Sequence, residues 1–372
     1  IIYLRNDFLG EPLSYRLLTD GFNMSGTVVG ARRYMKLFVY LPVALRPQPR
    51  RALLISYGVG STAEALVDTS SLEQIDVVDI SREILEMSEL VFPDPADHPL
   101  RDPRVRVHVD DGRYFLLTSG ERYDLITGEP PPPKNAGVVN LYTREYFQLI
   151  HERLAEGGVA SYWLPVHNLY PSDAKAIIRA FCEVFSDCSL WVGTGLDWML
   201  VGSRDGSWSR AESDFTRQWE DPAVIPELRA VGLELPEQLG ALFLGDASYL
   251  RELTRDTEPL LDDFPKRVTD RAPADRRRRR AAYRSRMNPT LTRRRFEASD
   301  FIRAAWPEEL RERTLPYFED QGLVNRFGFR YRRPWESVSD LHAVLTRTPL
   351  RTLALWHLGT GADELRIVER VG

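Results

Sequence analysis

The chain has 372 residues, 43% of them hydrophobic and 28% charged, with 49 Lys and Arg against 54 Asp and Glu. This composition predicts a soluble globular protein of two or three folding units and excludes wholesale disorder. The net charge of −5 provides no overall basic field for nucleic acid. Two cysteines cannot form a disulfide framework, no Cys/His spacing indicates a metal site, and no uncharged apolar run of about 18 residues predicts a membrane span. We therefore expect a protein of a reducing, cytoplasmic compartment with no metal.

The first 50 residues predict a small β unit followed by a helix and a linker. The β unit comprises Tyr15–Leu18, the tight turn Asp20-Gly21 and Gly26–Val29. The first helix is predicted over Tyr34–Leu41, and three prolines between residues 42 and 49 separate it from the first apolar run of the central segment. The chain begins with Ile1 and not Met, from which we expect that an upstream segment is missing.

Residues 51–205 alternate short apolar runs with amphipathic stretches. Runs of four to eight residues rich in Val, Ile, Leu and aromatics predict buried parallel strands. These runs are Ala52–Tyr57, Ile75–Asp79, Val105–Val109, Tyr123–Thr127 and Gly158–Trp163. Helices are predicted between them, with Ser81 and Thr143 as N-caps. Leu190–Val192 and Trp198–Val201 flank a Gly-rich turn and predict a final antiparallel hairpin. The fold class is therefore α/β, with a Rossmann-like, mostly parallel seven-stranded sheet.

After residue 205 strands largely disappear from the pattern. Helices are predicted over Ala223–Tyr249, Asp300–Phe318 and Ser337–Leu345, and the arginine run Arg276–Arg280 predicts a solvated helix face. The predicted domains are residues 1–50, a β unit and linker; 51–205, a nucleoside-binding Rossmann-like domain; and 206–372, a helical C-terminal extension.

Polar residues or glycines lie at the carboxyl ends of the first three predicted parallel strands. Gly58 and Gly60 allow close approach of the backbone to a ligand at a helix N-terminus. Asp79 ends the second strand, about 20 residues further on, where a carboxylate accepts the ribose hydroxyls of an adenosine. The alternative for Asp79 is a helix N-cap. The third strand is followed by Asp110-Asp111, where a carboxylate can accept from an adenine amino group, and Gly112 leaves room for the ring. Together these residues at the strand ends predict an adenosine site.

Glu129 ends the fourth strand, ahead of four prolines that stiffen the loop and donate no N–H. A carboxylate held beside a bound cofactor is a candidate general base, and the alternative is a solvated loop acid. Packing roles are predicted for His108, His167, Cys182 and Cys188.

The order of these motifs resembles the spermidine synthase (polyamine aminopropyltransferase) family, which has the class I S-adenosylmethionine-dependent methyltransferase fold. The similarity is greatest to family domains attached behind a membrane segment. The stretches that carry it are Asp20-Gly21, Leu54–Gly60, Val77–Ile80, Asp102–Val105, Asp110–Phe115, Tyr123–Ile126, Asn140–Phe147, Leu154–Gly158 and Asp256–Pro259.

The resemblance implies attack of a polyamine nitrogen on the aminopropyl carbon of decarboxylated S-adenosylmethionine, with release of methylthioadenosine. It assigns Asp79 and the adjacent Ile80 to the cofactor, together with Gly58, Gly60, Asp111 and Gly112. It assigns Glu129 to catalysis, and Tyr34 and Tyr142 to substrate binding. Val59, Pro132 and Met35-Lys36 stand where the family has acidic or polar residues, which predicts a degenerate polyamine pocket.

Two other functions stay open. One is methyl transfer from S-adenosylmethionine itself, which loss of the acid at Val59 favours. The other is a non-catalytic nucleotide-sensing or scaffold domain of a membrane protein. The expected partner is a small amine, with no nucleic acid. A homodimer and a tether through an upstream membrane segment are left open.

Overall fold

A computed structural model describes residues 1–19, 21–133, 137–208, 211–263 and 273–327. Asp20 of the first predicted turn and the helix predicted over 337–345 lie outside these residues. Within the described part the chain forms two β-sheets, with helices on the larger sheet and in the C-terminal third. No helix there is both long and apolar enough to cross a membrane.

The small β unit is an antiparallel three-stranded sheet in the order β1-β2-β3. Its strands are β1 (Ile2–Phe8), β2 (Glu11–Thr19) and β3 (Phe22–Gly26). The prediction of a β unit is confirmed, but its last strand ends at Gly26, because helix α1 (Val29–Leu45) starts almost at once.

Helix α1 runs through Pro42, where the sequence predicted its end. Proline has no N–H, so the carbonyl of Phe38, four residues earlier, loses its helical donor. The Ser161 hydroxyl donates to that oxygen at 2.6 Å. Because a neighbouring strand supplies the missing hydrogen bond, the helix continues for one more turn and its far end stays buried.

The larger sheet has eight strands in the order β11-β9-β10-β8-β7-β4-β5-β6. They are β4 (Arg51–Ile55), β5 (Gln74–Asp79), β6 (Val105–Val109), β7 (Tyr123–Gly128), β8 (Leu154–Pro165), β9 (Ser189–Thr194), β10 (Asp197–Ser203) and β11 (Phe243–Asp246). Strands β4 to β8 are mutually parallel, and β10, β9 and β11 join in antiparallel pairs. The predicted Rossmann-like sheet and its antiparallel hairpin are confirmed.

The eighth strand lies in a stretch that the sequence predicted to be helical. β11 has only four residues, all buried, which is too short for an alternating pattern. Phe243 pairs with Trp191, and the Val192 N–H donates to the Leu242 carbonyl at 2.8 Å. The C-terminal third therefore completes the sheet edge. The domain bounds at residues 50 and 205 stay a prediction.

Helices that come after the strands cover the sheet. They are α2 (Ser61–Asp68), α3 (Arg82–Glu86), α4 (Gly112–Thr118), α5 (Arg144–Arg153) and α6 (Pro171–Val184). Ser81 and Thr143 accept from the backbone of the third residue after them, which confirms both predicted N-caps.

The C-terminal helices of the described part pack beside α1, α6 and β11. They are α7 (Glu212–Phe215), α8 (Val224–Ala230), α9 (Glu237–Gly240), α10 (Ala247–Leu253), α11 (Pro273–Arg286), α12 (Pro289–Ala298), α13 (Asp300–Ala305), α14 (Glu308–Thr314) and α15 (Tyr317–Phe327). Trp306 stacks on Trp191 of β9 with ring centroids 6.1 Å apart, so this packing is continuous with the sheet. Within the described residues the predicted helical character of the C-terminal third is confirmed apart from β11.

Cys182 and Cys188 form a disulfide, with Cα atoms 5.3 Å apart. The prediction that they are separate packing residues is therefore wrong, although both are buried. A tight turn after α6, in which the Cys188 N–H donates to the Phe185 carbonyl at 3.1 Å, brings the two side chains together.

Lys36 points away from the predicted amine pocket. Its side chain is fully buried and pairs with Glu64 of α2, at 2.8 Å, and with Glu227 of α8. Helix positions two apart are separated by about 200° around the axis, so Lys36 and Tyr34 occupy opposite sides of α1. The positive charge of Lys36 is thus neutralised by acids on the far side of the helix.

We expect Lys36→Met to lower the free energy of unfolding by about 2–3 kcal/mol, because it leaves two neighbouring glutamates without their cation. This value is below that for a fully buried pair, since each glutamate side chain is 30% exposed. Urea unfolding measures it, and the half-buried Lys175→Met is the control. Equal unfolding free energies for the two variants would contradict the expectation.

Candidate functional site

The predicted site residues follow strands that end side by side at one edge of the sheet. Backbone hydrogen bonds join these ends in series: Glu129 N to Ile55 O (3.1 Å), Ser56 N to Val78 O (2.9 Å) and Asp110 N to Asp79 O (3.1 Å). Glu129, the glycine loop, Asp79 and Asp111 therefore follow four adjacent strands, at the edge where open α/β sheets bind ligands.

The glycine loop between β4 and α2 adopts backbone angles that favour glycine. Gly58 and Gly60 have φ values of +60° and +88°. A Cβ on Gly60 would lie 2.5 Å from the Tyr57 hydroxyl and 2.7 Å from the Phe92 ring. The positive φ angles and, at Gly60, the lack of space for a Cβ therefore favour glycine at these positions. The free N–H groups at the N-terminus of α2 face the end of this loop.

Asp79 holds the glycine loop in place. Its Oδ2 accepts from the Tyr57 N–H at 2.8 Å, and its Oδ1 accepts from the Ser81 N–H at 2.9 Å. Burial raises the pKa of this carboxyl, and the backbone donors oppose that shift. Ser81 and not Asp79 caps α3. Each carboxylate oxygen has a further lone pair, so Asp79 retains the capacity to accept from ribose hydroxyls.

Tyr3 of β1 contacts the same loop and was not predicted from the sequence. Its hydroxyl donates to the Gly58 carbonyl at 3.4 Å. Burial, together with the charge of Asp79, raises the pKa of Tyr3 to about 12. The small sheet thus covers the glycine loop.

The predicted adenine end is built from β5 and the start of α4. Ile80 exposes 72% of its surface, which offers an apolar face beside buried Asp79. Asp111 is exposed and caps α4 through Oδ1, which accepts from the Arg113 and Tyr114 N–H groups at 2.9 Å. A Cβ on Gly112 would lie 2.5 Å from Ile55 Cγ2, so this glycine is required for packing of α4 on β4.

Glu129 is paired with Tyr34. The buried Tyr34 hydroxyl donates to Glu129 Oε1 at 2.5 Å. Burial raises the pKa of Glu129 to about 8; the hydrogen bond from Tyr34 opposes this shift and the charge of Asp197 adds to it. A carboxyl with a pKa near neutrality can take up and release a proton under ordinary conditions.

Tyr142 lies beneath the proline loop that comes after Glu129. It is fully buried, and its hydroxyl lies 3.1 Å from the Pro130 carbonyl and 3.3 Å from that of Pro131, as a donor to both. Burial raises its pKa well above the ordinary value. These contacts place Tyr142 where it supports the loop.

Three further residues extend the site beyond the sequence prediction. Trp163 stacks on Tyr34, with ring centroids 6.0 Å apart and planes 8° apart. Its indole Nε1 donates to Asp197 Oδ1 at 3.2 Å, and His167 Nδ1 lies 3.3 Å from the same oxygen. Burial raises the pKa of Asp197. An antiparallel strand begins at the edge where parallel strands end, and Asp197 accordingly pairs with Pro165 at the end of β8.

His108 makes packing contacts, as predicted. Its Nε2 lies 2.8 Å from Asp76 Oδ1, and its ring packs against Phe115. Among the described residues no group of three or more His, Cys, Asp or Glu is arranged to hold a metal ion.

Comparison with known proteins finds relatives of the segment that carries the predicted site residues. Residues 31–194 match the family model of the spermine/spermidine synthase domain. A polyamine aminopropyltransferase of Alkaliphilus oremlandii is 28% identical over 160 residues, which cover 42% of this chain and 56% of the relative. Putrescine N-methyltransferase 2 of Nicotiana attenuata is 30% identical over 184 residues, 48% of each chain. The chain thus spans about half the length of the curated relatives it matches.

Solved structures are also similar to this chain. Spermidine synthase from Thermotoga maritima is 20% identical with a TM-score of 0.45, over 51% of this chain and 65% of that one. A probable spermidine synthase from Corynebacterium glutamicum is 21% identical with a TM-score of 0.47. The match covers 70% of this chain and 91% of that one. The family model and the curated relatives confirm the resemblance drawn from the motifs: residues 31–194 of this chain are similar to the spermine/spermidine synthase domain.

Proposed function

We propose that this chain transfers an alkyl group from the sulfonium of an S-adenosyl ligand to an amine nitrogen. The leading reaction is aminopropyl transfer from decarboxylated S-adenosylmethionine. The observation that carries this proposal is the hydrogen-bonded pair of Tyr34 and Glu129, adjacent to the end of the strand that leads into the glycine loop. The pair supplies a proton acceptor next to the predicted cofactor site.

The nucleoside would lie along the ends of β4, β5 and β6. Asp79 would accept from the ribose hydroxyls, Ile80 would contact the adenine ring, and Asp111 would accept from its amino group. Gly58 and Gly60 would admit the sulfonium end close to the backbone. The exposed face of Ile80 and the buried, backbone-oriented carboxylate of Asp79 support this arrangement.

In the transfer step, the lone pair of the amine nitrogen attacks the aminopropyl carbon, and the bond between that carbon and sulfur breaks. The bonding electrons remain on sulfur, which leaves as neutral methylthioadenosine. Glu129 takes the proton that the nitrogen must lose, and Tyr34 fixes the carboxylate by its hydrogen bond. The proline loop and Tyr142 hold Glu129 at the site edge.

The second candidate is methyl transfer from S-adenosylmethionine to an amine. Val59, at the position where the family carries an acid, is fully buried in the glycine loop. Without that acid the site lacks one carboxylate for an aminopropyl ammonium and accepts the amino-acid end of S-adenosylmethionine more readily. Similarity to putrescine N-methyltransferases supports the same candidate. Loss of the family acids makes the polyamine pocket degenerate under either reaction.

Product analysis tests this proposal and separates the two candidates. The full chain is incubated with decarboxylated S-adenosylmethionine, or with S-adenosylmethionine, and with a panel of amines. Mass spectrometry is expected to find an aminopropylated amine and methylthioadenosine with the first donor. A methylated amine formed only with the second donor would reject aminopropyl transfer, and the absence of product with both donors would contradict the proposal.

A further inference from the structure

We propose that the exposed arginines of α11 and α12 form a surface that binds the phosphate groups of an anionic phospholipid bilayer. This inference goes beyond the proposed function and concerns a part of the chain that the proposed reaction does not use. The observations that carry it are the charge of the two helices, the contacts that fix α11 beneath its exposed arginines, and the kinds of side chain that lie among them.

Positive charge is concentrated in α11 and α12. The two helices contain ten arginines and two acidic residues, Asp275 and Glu297, so they carry a net charge of +8 in a chain whose net charge is −5. Seven of these arginines are exposed and three are partly buried. Like charges three or four positions apart on a helix repel each other, so this distribution lowers stability unless an anion lies against it.

The inner side of α11 is fixed on the rest of the chain. Tyr283 is buried, and its hydroxyl donates to the Leu169 carbonyl at 3.1 Å. The partly buried guanidinium of Arg279 lies 4.4 Å from the centre of the Tyr170 ring. The backbone of α11 therefore holds the arginines of the other side in a defined array, and a preformed array loses less conformational entropy on binding.

The outer side of α11 is a compact basic surface. Arg277 and Arg280 are three positions apart and Arg284 follows after four more, so these exposed side chains lie along one side of the helix. Exposed Arg278 adds a further guanidinium next to them. Within the described part of the chain, Arg277, Arg278 and Arg280 form no ion pair. Their guanidinium groups can thus donate paired hydrogen bonds to phosphate oxygens.

The side chains among the arginines favour a lipid headgroup layer over a nucleic acid. The aromatic residues of the two helices, Tyr283 and Phe296, are both buried, so they offer no ring for stacking on bases. Leu291, in the first turn of α12, is 44% exposed, and an apolar side chain among basic ones is typical of helices that lie on a bilayer.

The charge of the rest of the chain also favours a bilayer. Outside α11 and α12 the chain is strongly acidic, so it repels a polyanion that extends beyond the basic surface. A bilayer contacts one face of a protein and avoids this repulsion. Clusters of four to eight basic residues on one helix are typical of binding to anionic lipids.

Co-sedimentation of the full chain with lipid vesicles tests the proposal. One set of vesicles contains phosphatidylcholine alone, and in the other set one third of the lipid is phosphatidylglycerol. We expect the chain to bind the anionic vesicles at least about a hundredfold more tightly than the neutral ones. Raising the salt concentration from about 0.1 M to about 1 M should remove most of this binding, because the charges are exposed and screened.

A triple variant, Arg277→Gln, Arg278→Gln and Arg280→Gln, removes three charges from the outer side of α11. Glutamine is a good helix former and the three positions are exposed, so the melting temperature should stay at the wild-type value. Binding to the anionic vesicles is expected to weaken about a hundredfold.

The matched control is a triple variant with the same change in net charge at exposed positions outside the two helices: Arg16→Gln, Arg106→Gln and Arg229→Gln. It should bind the anionic vesicles about as tightly as the wild-type chain. Equal losses of binding in the two triple variants would overturn the proposal, because that result assigns the binding to net charge and not to α11.

Equal binding of the wild-type chain to both kinds of vesicle, or binding to neither, would also overturn the proposal, and this comparison needs no variant. A DNA duplex of mixed sequence that displaces the chain from the vesicles at equal phosphate concentration would assign the basic surface to nucleic acid and overturn a lipid partner. These measurements contain no S-adenosyl donor and no amine, so their outcome is independent of the proposed reaction.

Discussion

Replacing Glu129 by glutamine is expected to reduce kcat at least about a hundredfold, the usual contribution of a general base. The amide can still accept from the Tyr34 hydroxyl but cannot take up a proton at neutral pH. Because burial raises the pKa of Glu129 to about 8, the wild-type rate should rise as the pH increases through that value, where the carboxylate forms. Steady-state kinetics between pH 6 and about 9.5 measure both effects.

The control is Glu156→Gln, which changes an exposed glutamate and should leave kcat and its pH profile as in the wild type. Calorimetry with methylthioadenosine should give the same nucleoside affinity for Glu129→Gln and the wild-type chain. An unchanged kcat in Glu129→Gln would contradict the assigned role of Glu129 as the proton acceptor.

The same pKa shift predicts a stability effect with a definite sign. The pKa of Glu129 is higher in the folded chain than its ordinary value of 4.5, so the proton stabilises the folded state. This contribution is fully present below the ordinary pKa and is lost as the pH rises through about 8. Between pH 4.5 and about 8, the free energy of unfolding should therefore fall less in Glu129→Gln than in the wild-type chain.

Replacing Asp79 by asparagine is expected to weaken methylthioadenosine binding about a hundredfold, which corresponds to roughly 2.7 kcal/mol of lost hydrogen bonding to a charged group. Asp79 accepts backbone N–H groups at both oxygens. An amide places its NH₂ group against one of these donors, so the glycine loop loses a hydrogen bond and shifts. The melting temperature should also fall. Calorimetry and thermal unfolding with and without ligand measure the two effects.

Asp111→Asn is the matched control for the Asp79 variant. Asparagine caps helices about as well as aspartate, so α4 should keep its N-cap and the chain its melting temperature. Binding should weaken less than in Asp79→Asn, because Asp111 is exposed and its interactions are screened by water. Wild-type affinity in Asp79→Asn would show that the nucleoside does not contact this acid.

The edge of the sheet that carries the candidate site could be predicted from the sequence. Its strands are buried apolar runs, and the polar site residues lie at the ends of these runs. Asp79 ends one such run, and Glu129 comes directly after another. The contacts between Tyr34 and Glu129 and between Trp163 and Asp197 could not be predicted. They depend on how α1 lies across the sheet and on where the antiparallel strand begins, and neither is local in sequence.

Two other features were missed for different reasons. β11 is too short for a periodic pattern, and its pairing with β9 joins residues about 50 positions apart, which only tertiary packing specifies. The Cys182–Cys188 disulfide depends on a turn geometry that spacing alone does not determine. A Cβ on Gly112 would lie closest to Ile55 of β4, and the room that this glycine leaves for a ring stays a prediction.

Helix α1 connects the C-terminal third of the described residues to the Tyr34–Glu129 pair. The helix is a rod of 17 residues, about 25 Å long at 1.5 Å per residue. Arg33 donates to the Val231 and Gly232 carbonyls, and Lys36 pairs with Glu227, so the outer side of the rod is fastened to the C-terminal third. Tyr34, between these two anchors, positions the proton acceptor on the inner side. A substitution that displaces α8 is therefore expected to shift the Tyr34 hydroxyl, and with it the Glu129 carboxylate, without changing a residue of the predicted pocket.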